Sequence, residues 1–105
     1  AGFDAHADDP LGGMRLSIDG YRTLTRRIRR LAIEQCNGRF AVVTEGGYHL
    51  PALEGCLDAA LAVAAENEDD DAFRDVPPVS GSTEVANAAL GSVRRTQAPY
   101  WAATL

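Results

Sequence analysis

Two residues in this chain have the chemistry and the setting to act on a ligand: the carboxylate of Asp4 and the phenol of Tyr48. Tyr48 closes the stretch Thr44-Glu45-Gly46-Gly47-Tyr48, in which two glycines let the backbone turn sharply beneath a polar aromatic. Asp4 follows the apolar pair Gly2-Phe3 and opens a loop that carries Asp8-Asp9-Pro10-Leu11-Gly12-Gly13, turn residues throughout. A carboxylate can hold a cation or a proton, and a phenol can donate to an oxygen on which charge develops. The plainer alternative for Gly46-Gly47-Tyr48 is a strand-to-helix turn with a surface tyrosine.

The elements that would position these groups are readable from pattern. Gly2-Phe3-Asp4 reads as a strand end, and Arg39 to Thr44 (RFAVVT) as a buried strand. Between them Ser17 can cap a helix whose apolar face is Tyr21, Leu24, Ile28, Leu31 and Ala32, and Asn37-Gly38 can end it in a left-handed turn. Strand, helix and strand make a unit whose two strands run parallel. Their C-terminal ends then share one edge of the sheet, the edge at which open α/β sheets hold ligands. Asp4 and Tyr48 are expected to face each other there.

Pro51 suits the first turn of a helix from about Ala52 to Ala65, with Leu53, Leu57, Ala60, Leu61 and Ala64 as its buried face. The acidic run from Glu66 to Asp71 opposes that helix's dipole and leads into an exposed loop containing Pro77-Pro78, read as solvated linker over a metal or polyamine site. A last helix is expected from about Thr83 to Thr96, with Pro99-Tyr100-Trp101 packing back onto the body. The cluster Arg22, Arg26, Arg29 and Arg30 offers an anion site, but a solvated helix face is the simpler reading. The boundaries are therefore 1–66, 67–82 for the acidic loop, and 83–105 for the last helix and tail.

The totals exclude several functions. A formal charge of −5, with ten arginines and no lysine among the basic residues, leaves no surplus to neutralise phosphates, so no nucleic-acid partner is expected. No apolar run approaches the roughly 20 residues a bilayer requires, so no membrane partner is expected and a cytoplasmic location is. Cys36 and Cys56 have no metal-binding spacing and are expected to be reduced, packed or partly exposed. A nucleotide site at Glu45-Gly46-Gly47 is disfavoured, because two glycines without a following lysine make no phosphate loop.

Taken in order, Ala1-Gly2-Phe3-Asp4-Ala5-His6, Asp9-Pro10-Leu11-Gly12-Gly13, Leu16-Ser17, Gly20-Tyr21 and Glu45-Gly46-Gly47-Tyr48 resemble the histone deacetylase family. The resemblance is to the microbial branch with acetylpolyamine amidohydrolases and histone-deacetylase-like amidohydrolases. It covers about Ala1 to Ala64 and becomes loose beyond. It implies an α/β fold, here a partial arginase/deacetylase-like three-layer arrangement with parallel strands flanked by helices. The implied reaction is zinc-dependent hydrolysis of the acetyl amide of acetyl-lysine or an acetylpolyamine.

By the same resemblance Asp4 matches a Zn2+ ligand and Tyr48 the phenol that polarises the acetyl carbonyl. Gly46 and Gly47 match glycines beside the substrate tunnel, and Leu11 an apolar position of its wall. Asp4-Ala5-His6 imitates the family's Asp-x-His zinc pair, but the Asp9-to-Gly13 motif that follows marks the later loop, where only the aspartate coordinates. His6 is therefore expected to point into the loop or bond a neighbouring carboxylate, and Asp8 and Asp9 to order it. His49 departs from the family's frequent Asn.

The family's tandem histidines and its other two zinc ligands have no counterpart here, and Ala1-Gly2-Phe3 reads as the tail of a strand. The expectation is a C-terminal fragment whose partner is the missing N-terminal part of the same domain, inactive alone and prone to homo-oligomerise or fold poorly. The alternative is a non-catalytic deacetylase-like remnant serving as an interaction module.

Overall fold

The computed structural model describes residues 1–66 and 84–100. Its elements are three helices: α1 over Ile18–Cys36, α2 over Leu50–Ala65 and α3 over Glu84–Gln97. The acidic run beyond Glu66, Pro77-Pro78 and Trp101 lie outside the described residues.

Local signals set the helix ends. The Ser17 hydroxyl accepts from the Gly20 N–H at 3.1 Å, satisfying a donor that the first turn of α1 leaves open. At the other end Asn37 takes the left-handed conformation (φ 51°), Gly38 follows at φ 75°, and the Gly38 N–H returns to the Ala32 carbonyl at 3.0 Å. Pro51 stands in the first turn of α2, which begins two residues before the expected Ala52.

α1 and α2 pack together, and the core lies between them and the N-terminal loop. Phe3, Tyr21, Cys56 and Ala60 are its buried centre, with Leu16, Ile18, Leu53 and Leu57 half-buried around it. The Phe3 and Tyr21 rings meet with centroids 5.2 Å apart, tilted by 52°. Burying a side chain such as Phe3 is worth roughly 1.5–3 kcal/mol. That burial anchors the backbone from which Asp4 projects. The Tyr21 hydroxyl donates to the Gly2 carbonyl at 3.3 Å, and burial pushes its pKa up.

The parallel strands are not formed: no strand occurs among the described residues. The segments nonetheless lie side by side in the same direction. The Ala1 amine donates to the Val43 carbonyl, the Glu45 N–H to the Ala1 carbonyl (3.1 Å), and the Phe3 N–H to the Gly46 carbonyl (2.7 Å). A regular parallel ladder would bring Phe3 to Glu45, so the last bond is shifted by one residue. The outward backbone groups of Val42 and Thr44 have no protein partner among the described residues, and Val42 and Val43 are exposed rather than buried. Parallel strands are regular when neighbours cover both edges and faces, and no such neighbours occur among the described residues.

Both helix faces also differ from expectation. Of the expected apolar face of α1 only Tyr21 and Ala32 are buried, whereas Leu24, Ile28 and Leu31 are exposed. A groove of about 350 Å³ runs beside them, lined by Phe3, Tyr21, Leu24, Ile28, Phe40 and Val42. On α2 the buried face is Ala52, Cys56, Ala59, Ala60 and Val63, while Leu61 and Ala64 are exposed. The buried side chains are mostly small, Leu53 and Leu57 lie half-buried against the core, and Leu50 and Leu61 are turned outward. α3 buries none of its residues, and Tyr100 is 79% exposed, so the expected packing of that ring onto the body does not occur.

The arginines of α1 form neither an anion site nor a wholly solvated face. Arg29 is buried and donates through Nη1 to the Val63 carbonyl (2.9 Å) and through Nη2 to the Glu66 carbonyl. Arg26 grips the Glu66 carboxylate through Nε (3.3 Å) and Nη2 (2.6 Å). Two cations thus meet the carbonyl end of α2, where the helix dipole favours them, and they offset the unfavourable charge of Glu66. The Arg26 hydrogen bond is the main reason the Glu66 carboxyl titrates below its ordinary range. Replacing Arg29 by Ala should lower stability to urea by about 2–3 kcal/mol, since a buried charged donor is lost from two carbonyls. Arg30→Ala, which removes only an exposed pair with Glu34, should cost less than about 0.5 kcal/mol.

Candidate functional site

Asp4 projects from the first residue after buried Phe3 and lies against the glycine turn. A β-carbon at Gly46 would sit 2.9 Å from the Asp4 Cγ, and one at Gly2 2.9 Å from its Oδ1. Gly12 crosses the backbone of the same residue, so closely that a β-carbon there would fall 1.6 Å from the Asp4 carbonyl oxygen. Only hydrogen fits at Gly12, against the Asp4 backbone, whereas a β-carbon at Gly2 or Gly46 would push the Asp4 carboxylate from its place. Gly47 needs its identity twice over: its φ is 140°, and a β-carbon would press on Leu53 Cδ1 at 3.0 Å and Phe3 Cβ at 3.2 Å. The room left by Gly46 and Gly47 is thus used by the protein's own atoms.

The loop after Asp4 is tied to the Tyr48 turn by one carboxylate. Asp9 is buried; its Oδ1 accepts from the N–H groups of Leu11 (2.9 Å) and Gly12 (3.1 Å). Its Oδ2 accepts from the Tyr48 N–H at 2.7 Å. These donors hold the Asp9 carboxyl below its ordinary pKa, the Tyr48 N–H contributing most and the His49 N–H adding to it. The anion also stands at the entrance to α2, where His49 provides no side-chain cap. The expectation that Asp9 orders the loop is met, and its reach to Tyr48 is the part that pattern did not disclose. No spacing rule connects residues so far apart in sequence.

Tyr48 itself is 60% exposed and Leu11 70% exposed, so both side chains stand at the surface of this clamp. His6 is buried, and its Nδ1 accepts from the Asp8 N–H at 3.1 Å, with Asp8 Oδ2 3.8 Å away. It points into its loop and lies near the Asp8 carboxylate. Cys36 is exposed and Cys56 buried; both are free thiols, and burial raises the Cys56 pKa.

The residues present do not by themselves make a zinc site. A protein zinc site needs three or four ligands, and among the described residues no group of three or more His, Cys, Asp or Glu side chains could hold a metal. Asp4 can contribute one oxygen ligand and no more. No described helix is long and apolar enough to cross a membrane.

The model of the histone deacetylase domain matches residues 1–64, and the chain belongs to that family, whose domain implies an arginase/deacetylase fold. The chain is 36% identical over 74 residues to type-2 histone deacetylase 2 of Dictyostelium discoideum, covering 68% of this chain and 4% of that protein. It is 35% identical over 104 residues to the polyamine deacetylase HDAC10 of Homo sapiens, covering 96% of this chain and 14% of that protein. Over 48 residues it is 48% identical to the histone deacetylase-like amidohydrolase of Pseudomonas aeruginosa, covering 46% of this chain and 13% of that protein. The chain therefore spans a small part of the length of these relatives.

Two outcomes follow from the site's packing. Gly12→Ala should disorder the Asp4 loop, seen as loss of the native amide resonances of residues 4–13, whereas Gly13→Ala, with φ 61° but open space around it, should cost only about 1–2 kcal/mol. Because the folded pKa of Asp9 is depressed, its contribution is complete above the ordinary carboxylate value of about 3.9 and is lost as pH falls through the lower folded value. The stability gap between the native chain and Asp9→Asn, measured by denaturant unfolding, should narrow on acidification; a gap independent of pH would contradict this.

Proposed function

We propose that this chain is the Asp4 and Tyr48 part of a zinc-dependent amide hydrolase that removes the acetyl group from acetyl-lysine or an acetylpolyamine. The observation that carries the proposal is the packing of the Asp4 carboxylate against Gly46, two residues before Tyr48. A potential metal ligand and a potential hydrogen-bond donor thereby share one rim. The family membership and the similarity to a polyamine deacetylase support the same reading.

In this proposal the further zinc ligands and the general base come from parts of the domain outside this sequence, and the two parallel segments complete their sheet there. The chain corresponds to a C-terminal portion of the domain, of the microbial branch, and is inactive alone. Tyr48 supplies a phenol O–H to the acetyl oxygen as negative charge develops on it, an interaction that strengthens toward the transition state. Leu11 forms apolar wall for an alkyl chain, and the Gly46-Gly47 turn, closed down on Asp4, Phe3 and Leu53, runs beside it. The net charge of −5 suits a cationic amine as substrate.

The test is hydrolysis of acetyl-lysine and acetylpolyamine substrates by a protein that contains this chain with the rest of its domain. Tyr48→Phe should lower kcat by about 10²–10³ with little change in KM. Undiminished turnover would remove Tyr48 from the mechanism. A second reading, a non-catalytic interaction module, is favoured by the exposed apolar groove beside Leu24 and Ile28. It predicts no zinc-dependent turnover in that same protein.

A further inference from the structure

We propose that Asp9 is a positioning residue that binds the apolar wall at Leu11 and the phenol-bearing residue Tyr48 into one unit. The proposal rests on the deacetylase reading for its purpose, while the coupling itself stands on geometry alone. Ordering the loop needs only one oxygen: Asp9 Oδ1 takes the N–H groups of Leu11 and Gly12 in a local turn. The other oxygen leaves the loop and takes the Tyr48 N–H, 39 positions away, in the shortest of the three bonds at 2.7 Å. The carboxylate is buried, so water competes poorly for either oxygen.

An ionised carboxylate is also the right group for this task. It is acceptor-only, with capacity on both oxygens, whereas a carboxamide has one acceptor oxygen and one donor nitrogen. Asn at this position can therefore satisfy the loop or Tyr48 but not both. Asp8, next in sequence, shows the contrast: its side chain is 67% exposed and lies near only His6. Asp9 touches no reacting atom in this account and acts through the Tyr48 backbone, which fixes where the phenol starts and how far it stands from Leu11. If the two move as a unit, the carbonyl donor keeps its place relative to the apolar wall that holds the substrate's alkyl chain.

The experiment is amide hydrogen exchange on the 15N-labelled 105-residue chain. In the native chain the N–H groups of Leu11, Gly12 and Tyr48 should share one opening event, with protection equal within about threefold and distinct from that of α1 and α2. Asp9→Asn should retain protection on one side of the clamp and lose about tenfold or more on the other, while Asp8→Ala changes none of the three. Native protection of Tyr48 that differs from that of Leu11 and Gly12 by more than about tenfold would overturn the coupling, and this comparison decides even if Asp9→Asn does not fold.

A kinetic arm uses the protein that contains this chain with the rest of its domain. Asp9→Asn should lower kcat, and the effect should vanish in a Tyr48→Phe background, because a positioning residue has nothing left to position. A fully additive double variant would overturn the positioning role. Absence of turnover in the native protein would count against the deacetylase reading, and the exchange result would still decide on the coupling.

Discussion

The structure depends on a carboxylate shared between two turns that are distant in sequence. Asp9 accepts from Leu11 and Gly12 on one oxygen and from Tyr48 on the other, and this ties the loop that follows Asp4 to the turn that precedes α2. Besides it, three irregular backbone bonds join residues 1–3 to 43–46. Buried Phe3 fixes one side of the joint, and Leu53 packed under Gly47 fixes the other. The glycines complete it by letting the backbones approach: Gly12 on Asp4, Gly46 on the Asp4 carboxylate and Gly47 on Phe3. Tight approach of backbone to backbone, rather than a large apolar core, is what defines this end of the molecule.

The other end is held by charge. Arg26 and Arg29 of α1 close the carbonyl terminus of α2, and small residues let the helices come together between the two joints. Around this frame much apolar surface is left open. Leu24, Ile28, Leu31, Leu50, Leu61, Val42 and Val43 are all exposed, and the outward backbone groups of Val42 and Thr44 have no protein partner among the described residues. α2 is apolar on nearly every side, the composition of a helix that is surrounded in a larger body. The pattern agrees with a chain that spans a small part of its relatives' length.

Features with a local cause were legible in the sequence. Ser17, Asn37-Gly38 and Pro51 each act within one turn of their own position, and all three do what their chemistry dictates. The expectation that two parallel segments bring Asp4 and Tyr48 to one edge is met as far as Asp4 lying against Gly46, two residues before Tyr48. Features set by distant partners were less legible. Regular strands need neighbours, and among the described residues none pairs with the outer edge of Arg39 to Thr44, which lies largely exposed and unladdered despite its apolar run. The buried side of α2 was legible in part: Leu53, Leu57 and Ala60 of the expected face meet the core, but burial is centred on the small residues Ala52, Cys56, Ala59 and Val63, and Leu61 is left exposed. Arg29 looked like one more solvated charge, since nothing nearby in sequence announces the α2 carbonyls it meets. Asp9 looked like a turn residue, and half of its role is one.

The claim that organises all of this is that the Asp9 loop and the Tyr48 turn share one anion. Amide protons bound to the two oxygens of one carboxylate lie within about 6 Å of each other, so the direct measurement is the set of amide–amide nuclear Overhauser contacts of Tyr48 in the deuterated chain, where such distances are read. Cross-peaks from that proton to the amide protons of Leu11 or Gly12 are the predicted result. A Tyr48 amide that sees only its own neighbours along the turn into α2 would contradict the account.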